Sequence, residues 1–109
     1  MSIPTTEDLL FPMLQFLQNG DIRTLKETVA YLATKFRMSG KDIEELQPSG
    51  RQTKFEKKVG WARYYLGKVG YIKTIQRGTF VITKLGIKRL RNEMAEISMR
   101  EVNNIIEEK

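Results

Sequence analysis

The chain has 109 residues, an apolar fraction of 40% and a formal net charge of +6, which suits one domain with a modest core. It contains neither cysteine nor histidine. That removes disulfides, thiolate chemistry, the commonest metal ligand and the commonest general base near neutral pH, so no cofactor or metal site is expected.

No apolar run approaches the roughly 20 residues of a membrane helix, and the opening "MSIPTTEDLL" lacks the basic start and apolar centre of a signal peptide. A cytoplasmic protein is the expectation. In "TTEDLLFPMLQFL" a threonine cap candidate precedes acids in a first turn, and Leu9, Leu10, Met13, Phe16 and Leu17 follow at near-helical spacing. Pro12 either kinks a helix begun at Thr6 or sits near the first turn of a shorter one, and both readings stay open. After a short extended stretch, Thr24 to Glu27 has the form of a capping box, in which the cap and the acid three residues on satisfy each other's backbone donors. It opens a second helix whose Leu25, Val29, Leu32 and Phe36 form one buried stripe. A further box, Ser39 to Asp42, opens a short helix carrying Ile43 and Leu46, closed by the turn "QPSG".

A third box, Thr53 to Glu56, starts a helix that Gly70 is placed to stop in a left-handed cap. Two short strands, Tyr71 to Ile75 and Thr79 to Thr83, follow across "QRG", with Gly78 supplying the positive φ of a tight hairpin. Then Ile87, Leu90, Met94 and Ile97 recur at helical spacing, on a helix that either continues or restarts at Ser98. The fold class expected is mainly α with a small β-hairpin (α+β), a winged helix-turn-helix in a single domain. Residues 1–91 form the domain and 92–109 a helical extension, linker or dimerisation helix.

Charge is distributed unevenly along these elements. Residues 1–50 carry 5 basic and 7 acidic side chains, residues 51–91 carry 12 and 1, and residues 92–109 carry 2 and 5. A charge run is most often a solvated face. Such a face has mixed signs, however, and an imbalance of this size leaves self-repulsion that a polyanion relieves. At about 100° per residue, Phe55, Val59, Ala62, Leu66 and Val69 share one arc of the helix that starts at Thr53. The opposite side holds Thr53, Lys54, Lys57, Gly60, Trp61, Tyr64 and Lys68.

An α-helix fits the major groove of B-DNA and reads base edges near its N-terminus, with cations on the phosphates. Arg51 and Gln52, just before that N-terminus, suit guanine and adenine respectively. Lys54, Lys57 and Lys58 add to the positive end of the helix dipole. Arg77 at the hairpin tip, with Thr79 beside it, reaches toward the backbone. The candidate DNA-binding residues are thus Arg51, Gln52, Thr53, Lys54, Lys57, Lys58, Tyr64, Arg77 and Thr79. Quieter roles compete: Trp61 and Tyr65 are expected to pack under the hairpin or another helix, Arg63 to pair with Glu56, and Gly60 and Gly67 to mark close approach either of a phosphate or of a neighbouring helix.

The stretch "LQPSGRQTKFEKKVGWARYYLGKVGYI" followed by "RGTFVITKLG" resembles the N-terminal winged-helix domain of Mrr-type restriction endonucleases. The correspondence covers the loop Pro48 to Gln52, Val59 to Leu66, Gly70 to Ile72, the turn Arg77 and Gly78, and Ile82 to Gly86. The opening helix with its internal proline is also similar to the family's, and the likeness spans about residues 3 to 90. It implies a prokaryotic restriction context and recognition of DNA, often modified DNA. Such endonucleases also carry a C-terminal nuclease of the PD-(D/E)xK class, which this chain is too short to include, and the terminal "EEK", Glu107 to Lys109, has no partner aspartate on a strand.

The expected function is therefore double-stranded DNA binding without catalysis, as the recognition module of an Mrr-like restriction system, with a nuclease domain or subunit as a further partner. A stand-alone regulator is the alternative, dimerising through Ile87, Leu90, Met94, Ile97, Val102 and Ile105. A winged-helix adaptor for another protein is the third reading.

Overall fold

A computed structural model describes residues 4–38 and 53–108, and within them the chain forms five helices and a three-stranded antiparallel sheet. The order is α1 (Thr6–Phe16), β1 (Arg23–Thr24), α2 (Leu25–Lys35), α3 (Lys54–Lys68), β2 (Ile72–Gln76), β3 (Thr79–Ile82), α4 (Lys84–Asn92) and α5 (Met99–Glu108). This is the expected α+β single domain. The capping box at Ser39 to Asp42, the helix with Ile43 and Leu46, the turn after it, and the candidates Arg51 and Gln52 lie outside the described residues.

Local chemistry sets the helix ends. Thr5, Thr24 and Thr53 each accept a bond from the backbone N–H three residues on, while Asp8, Glu27 and Glu56 accept from the cap's own N–H. Three capping boxes thus fix three starts, each worth about 0.5–2 kcal/mol. Pro12 is buried inside α1, past its first turn, which resolves the open reading in favour of a helix begun at Thr6. At the other end of α3 the Tyr71 N–H donates to the Leu66 carbonyl at 3.0 Å and the Gly70 N–H to the Gly67 carbonyl at 3.1 Å. Gly70 has a φ of 88°. This pair of bonds around a left-handed glycine is a Schellman stop.

The sheet order is β1-β3-β2, so β3 lies between a two-residue strand and the outer β2. Arg23 pairs with Phe80 and Thr24 with Thr79, while Ile72 pairs with Ile82 and Thr74 with Phe80. The third strand is an addition to the hairpin read from the sequence, because two paired residues leave no period to read. Beyond the sheet, the N–H of Leu25, first residue of α2, donates to the carbonyl of Gly78 at the hairpin turn, 3.0 Å away. The hairpin is therefore anchored at its tip as well as its base.

One core joins the elements. Leu9, Leu10, Met13 and Leu14 of α1, Leu32 of α2 and Phe55, Val59, Ala62 and Leu66 of α3 are all fully buried, with Phe80 from the sheet beneath them. α1 packs chiefly on α3, and α2 lies against both. At about 0.8 kcal/mol per buried methylene, this cluster is the main source of stability.

After the sheet the chain takes the second of the two open readings, a helix that stops and restarts near Ser98, so Met94 and Ile97 do not continue the helix that carries Ile87 and Leu90. α4 ends at Asn92, Glu93 is extended, and α5 restarts at Met99, with the Glu101 N–H donating to the Ser98 hydroxyl at 3.1 Å. Met94 is exposed, whereas Leu90, Ile97 and Val102 are buried and Ile87 and Ile105 pack against the core. The residues of the expected dimer seam are thus largely taken up inside the molecule.

Candidate nucleic-acid interface

The buried arc of α3 fixes what the rest of the helix must face. With Phe55, Val59, Ala62 and Leu66 inward, Lys57, Trp61, Tyr64, Gly67 and Lys68 are exposed, and Thr53, Lys54, Lys58 and Arg63 lie at intermediate depth. The inward and outward faces match those read from the periodicity. Of the candidate residues described, Lys57 and Tyr64 stand outward on this face, Lys54 and Lys58 at its margin, and Arg77 at the exposed hairpin turn.

Thr53 and Thr79 already have internal bonds. The Thr53 hydroxyl accepts from the Glu56 N–H at 3.0 Å as the helix cap. The Thr79 hydroxyl donates to the Gln76 carbonyl at 3.2 Å and accepts from the Gln76 N–H at 3.1 Å, closing the hairpin. Glu56, the single carboxylate of residues 51–91, is likewise held by Thr53, whose N–H donates to it at 3.1 Å. Among the described residues no ion pair links it to Arg63 as expected.

Trp61 is the main correction. Instead of packing under the hairpin it is 46% exposed, with Tyr64 at 44%. Their rings meet edge to face at 5.6 Å, and Tyr65 stacks behind Trp61 at 5.9 Å. A Cβ built on Gly60 or Gly67 would meet nothing within 4 Å, so close packing of a neighbouring helix explains neither glycine. Both open onto the outer side of α3.

The hairpin extends the same surface. β2 is exposed from Lys73 to Gln76, and a groove of about 350 Å³ runs from Arg63, Tyr64 and Gly67 across to Lys73 and Thr74. Lys73 is missing from the residues singled out by sequence; the groove sets it beside the last two turns of α3.

Arg89 leaves the cationic set. It is buried, and its Nε donates to Glu101 at 2.8 Å while its terminal nitrogens bond Glu101 and the carbonyls of Glu93, Ala95 and Glu96. The Tyr71 hydroxyl donates to the same Glu101 carboxylate at 2.7 Å. Burial opposes the Glu101 charge, but the bonds from Arg89 and Tyr71 outweigh it and hold the carboxyl below its ordinary range. Burial, then the bond to Glu101, pushes the Tyr71 phenol well above its ordinary range. The bond to Glu101 likewise raises Arg89. This cluster ties α5 to α4 and to the end of α3, and the twelve-residue separation of Arg89 from Glu101 hides it from any periodic reading.

A helix presenting cations and aromatic rings beside an anchored basic hairpin defines a surface suited to an anionic, planar-ringed polymer. Residues 7–92 match the family model described as the Mrr N-terminal domain, and the chain belongs to that family of restriction-system-related domains. The match ends where α4 ends. Comparisons with curated proteins and with solved structures returned no match. No described helix is long and apolar enough to cross a membrane.

Proposed function

We propose that this chain binds double-stranded DNA as the recognition module of a restriction system, with α3 in the major groove and the β2–β3 hairpin acting as a wing on the adjacent backbone. The outward face of α3 carries the reading: Lys57 and Tyr64 project from a helix whose opposite side is locked into the core, and Arg77 stands on a hairpin tied at both ends. An α-helix of this kind enters the major groove, and a rigid scaffold behind it lowers the ordering cost of binding. Family membership supports the restriction context.

The chain acts in this reading by binding and not by catalysis. The one carboxylate of the cationic segment is engaged in a helix cap, and among the described residues no group of acids is placed to hold a metal ion. Cleavage then belongs to a nuclease domain or subunit associated with it.

The test is binding of fluorescent duplex, unmethylated and methylated, across a salt series. Each phosphate neutralised contributes about −0.9 to the log-log slope, and engagement of phosphates by Lys54, Lys57, Lys58 and Arg77 gives a slope of about −4. A methylation-dependent offset on that slope assigns the module to modified DNA. Absence of duplex binding at low salt overturns the proposal and leaves the protein-adaptor reading.

A further inference from the structure

The outward face of α3 holds more aromatic surface than docking of cations onto a duplex uses. Trp61 and Tyr64 are both nearly half exposed in mid-helix, although the core behind them is already closed by Phe55, Val59, Ala62 and Leu66. Their arrangement is braced. Tyr65 lies against Trp61 at 5.9 Å with 29° between the planes, Tyr64 meets it edge-on at 87°, and Tyr64 contacts Tyr65 at 5.6 Å in turn. Three rings that hold one another in place form a preorganised platform and not a set of loose surface side chains.

Cations flank that platform on both sides. A shallow depression of about 480 Å³ is lined by Lys57, Gly60, Trp61, Arg63 and Tyr64. The groove leading to Lys73 shares Arg63 and Tyr64 with it. The two together make one track, positive at each end and aromatic in the middle. Gly60 widens it, since no side chain stands between the track and the helix backbone there.

In a duplex the faces of the bases are covered by their neighbours, and only base edges reach the groove. Rings of this kind find no π-face to stack on in such a ligand. An unpaired base offers one, and single-strand binders combine this same pairing of cationic track and aromatic ring. We propose that the track takes single-stranded DNA, with an unpaired base stacked on Trp61 beside Tyr64 and the flanking phosphates held by Lys57, Arg63 and Lys73. This rests on the nucleic-acid reading of the same face, and it adds a second state of the substrate, the opened strand.

Trp61 is the chain's one tryptophan, so its emission reports stacking directly. The full chain is titrated at one low salt concentration with a short oligothymidylate and, separately, with a duplex of equal length. The single strand quenches Trp61 emission and the duplex does not. Labelled oligonucleotides then give affinities by anisotropy: Trp61→Ala and Tyr64→Ala each weaken single-strand binding about fivefold or more, the value of one stacked base, and Trp61→Ala leaves duplex affinity within about twofold. Both side chains are exposed, so unchanged thermal melting accompanies the weakened binding.

Duplex binding without single-strand binding overturns this proposal alone and leaves the duplex reading intact. Equal weakening on both substrates places Trp61 against the duplex and also overturns it. Binding of the single strand with quenching but no duplex binding supports the track and removes the major-groove reading. Binding of neither removes both.

Discussion

Gly86 and Gly60 both sit in helices, yet opposite physical demands act on them. A Cβ on Gly86 would overlap the Tyr71 carbonyl oxygen and lie 2.7 Å from Ile82 Cγ1. Thr83 explains the closeness: its N–H donates to that same Tyr71 carbonyl at 2.9 Å, and its hydroxyl, which bonds the Gly70 carbonyl, accepts from the Gly86 N–H at 3.1 Å. Gly86→Ala must push backbone apart, and it is expected to cost about 1–3 kcal/mol or more, read as a lowered urea midpoint. Gly60→Ala meets nothing, so helix propensity alone acts on the fold and stability rises by up to about 1 kcal/mol. The same methyl intrudes on the nucleic-acid track, so its affinity for DNA falls while its melting temperature climbs. The "ITKLG" pattern is visible in the sequence, but the reason for its glycine lies in a carbonyl of a different element, that of Tyr71.

Among the elements, α5 depends on one polar cluster for its place. Leu90, Ile97 and Val102 supply apolar burial, but Arg89, Glu101 and Tyr71 fix the geometry. Arg89→Met removes the donors and leaves Glu101 short of partners. The expected destabilisation is about 2–4 kcal/mol, under the roughly 3–5 of a fully buried pair because Glu101 keeps a quarter of its side chain exposed. The pH dependence follows from the two shifts. Glu101 titrates lower in the folded chain than in the unfolded one, so its contribution is present above the ordinary carboxylate range and fades as pH falls through the lowered value. Tyr71 titrates higher when folded, so its contribution is complete below about 10, its ordinary pKa, and is lost as pH rises beyond it. Stability should therefore be flat between about pH 5 and pH 10 as far as this cluster is concerned. Amide exchange in α5 should accelerate before that of α1 and α3 on acidification, and Glu101→Gln should remove the acid limb of that effect.

For the whole molecule, the separation of charge is the property with the widest reach. Residues 51–91 hold twelve of the nineteen cations, and the burial of Arg89 leaves the surface available to a polyanion to be set by the others. Charge reversal at Lys57 and Lys58 should weaken all duplexes about equally and make the salt slope shallower by about one unit for each phosphate no longer neutralised, whereas Arg77→Ala should act through the hairpin alone. The apolar seam that dimerisation would need is largely occupied by the chain's own core, so sedimentation should report a monomer, and Leu90 or Val102 to a charged residue should unfold the protein and not merely dissociate it.

Helix starts, the inward arc of α3, the hairpin turn and the cationic bias were legible in the residues, because caps, 3.6-residue periodicity and glycine conformations are local properties of a chain. The surroundings of Trp61 and the capture of Arg89 were not, and the break before α5 stayed one of two open readings. Each depends on which distant residue arrives alongside: a core already filled by Phe55 and Leu66 leaves Trp61 in water, and a carboxylate brought back at Glu101 takes Arg89 out of it. Sequence spacing carries no record of such meetings, because burial is decided by the competition of all side chains for one interior.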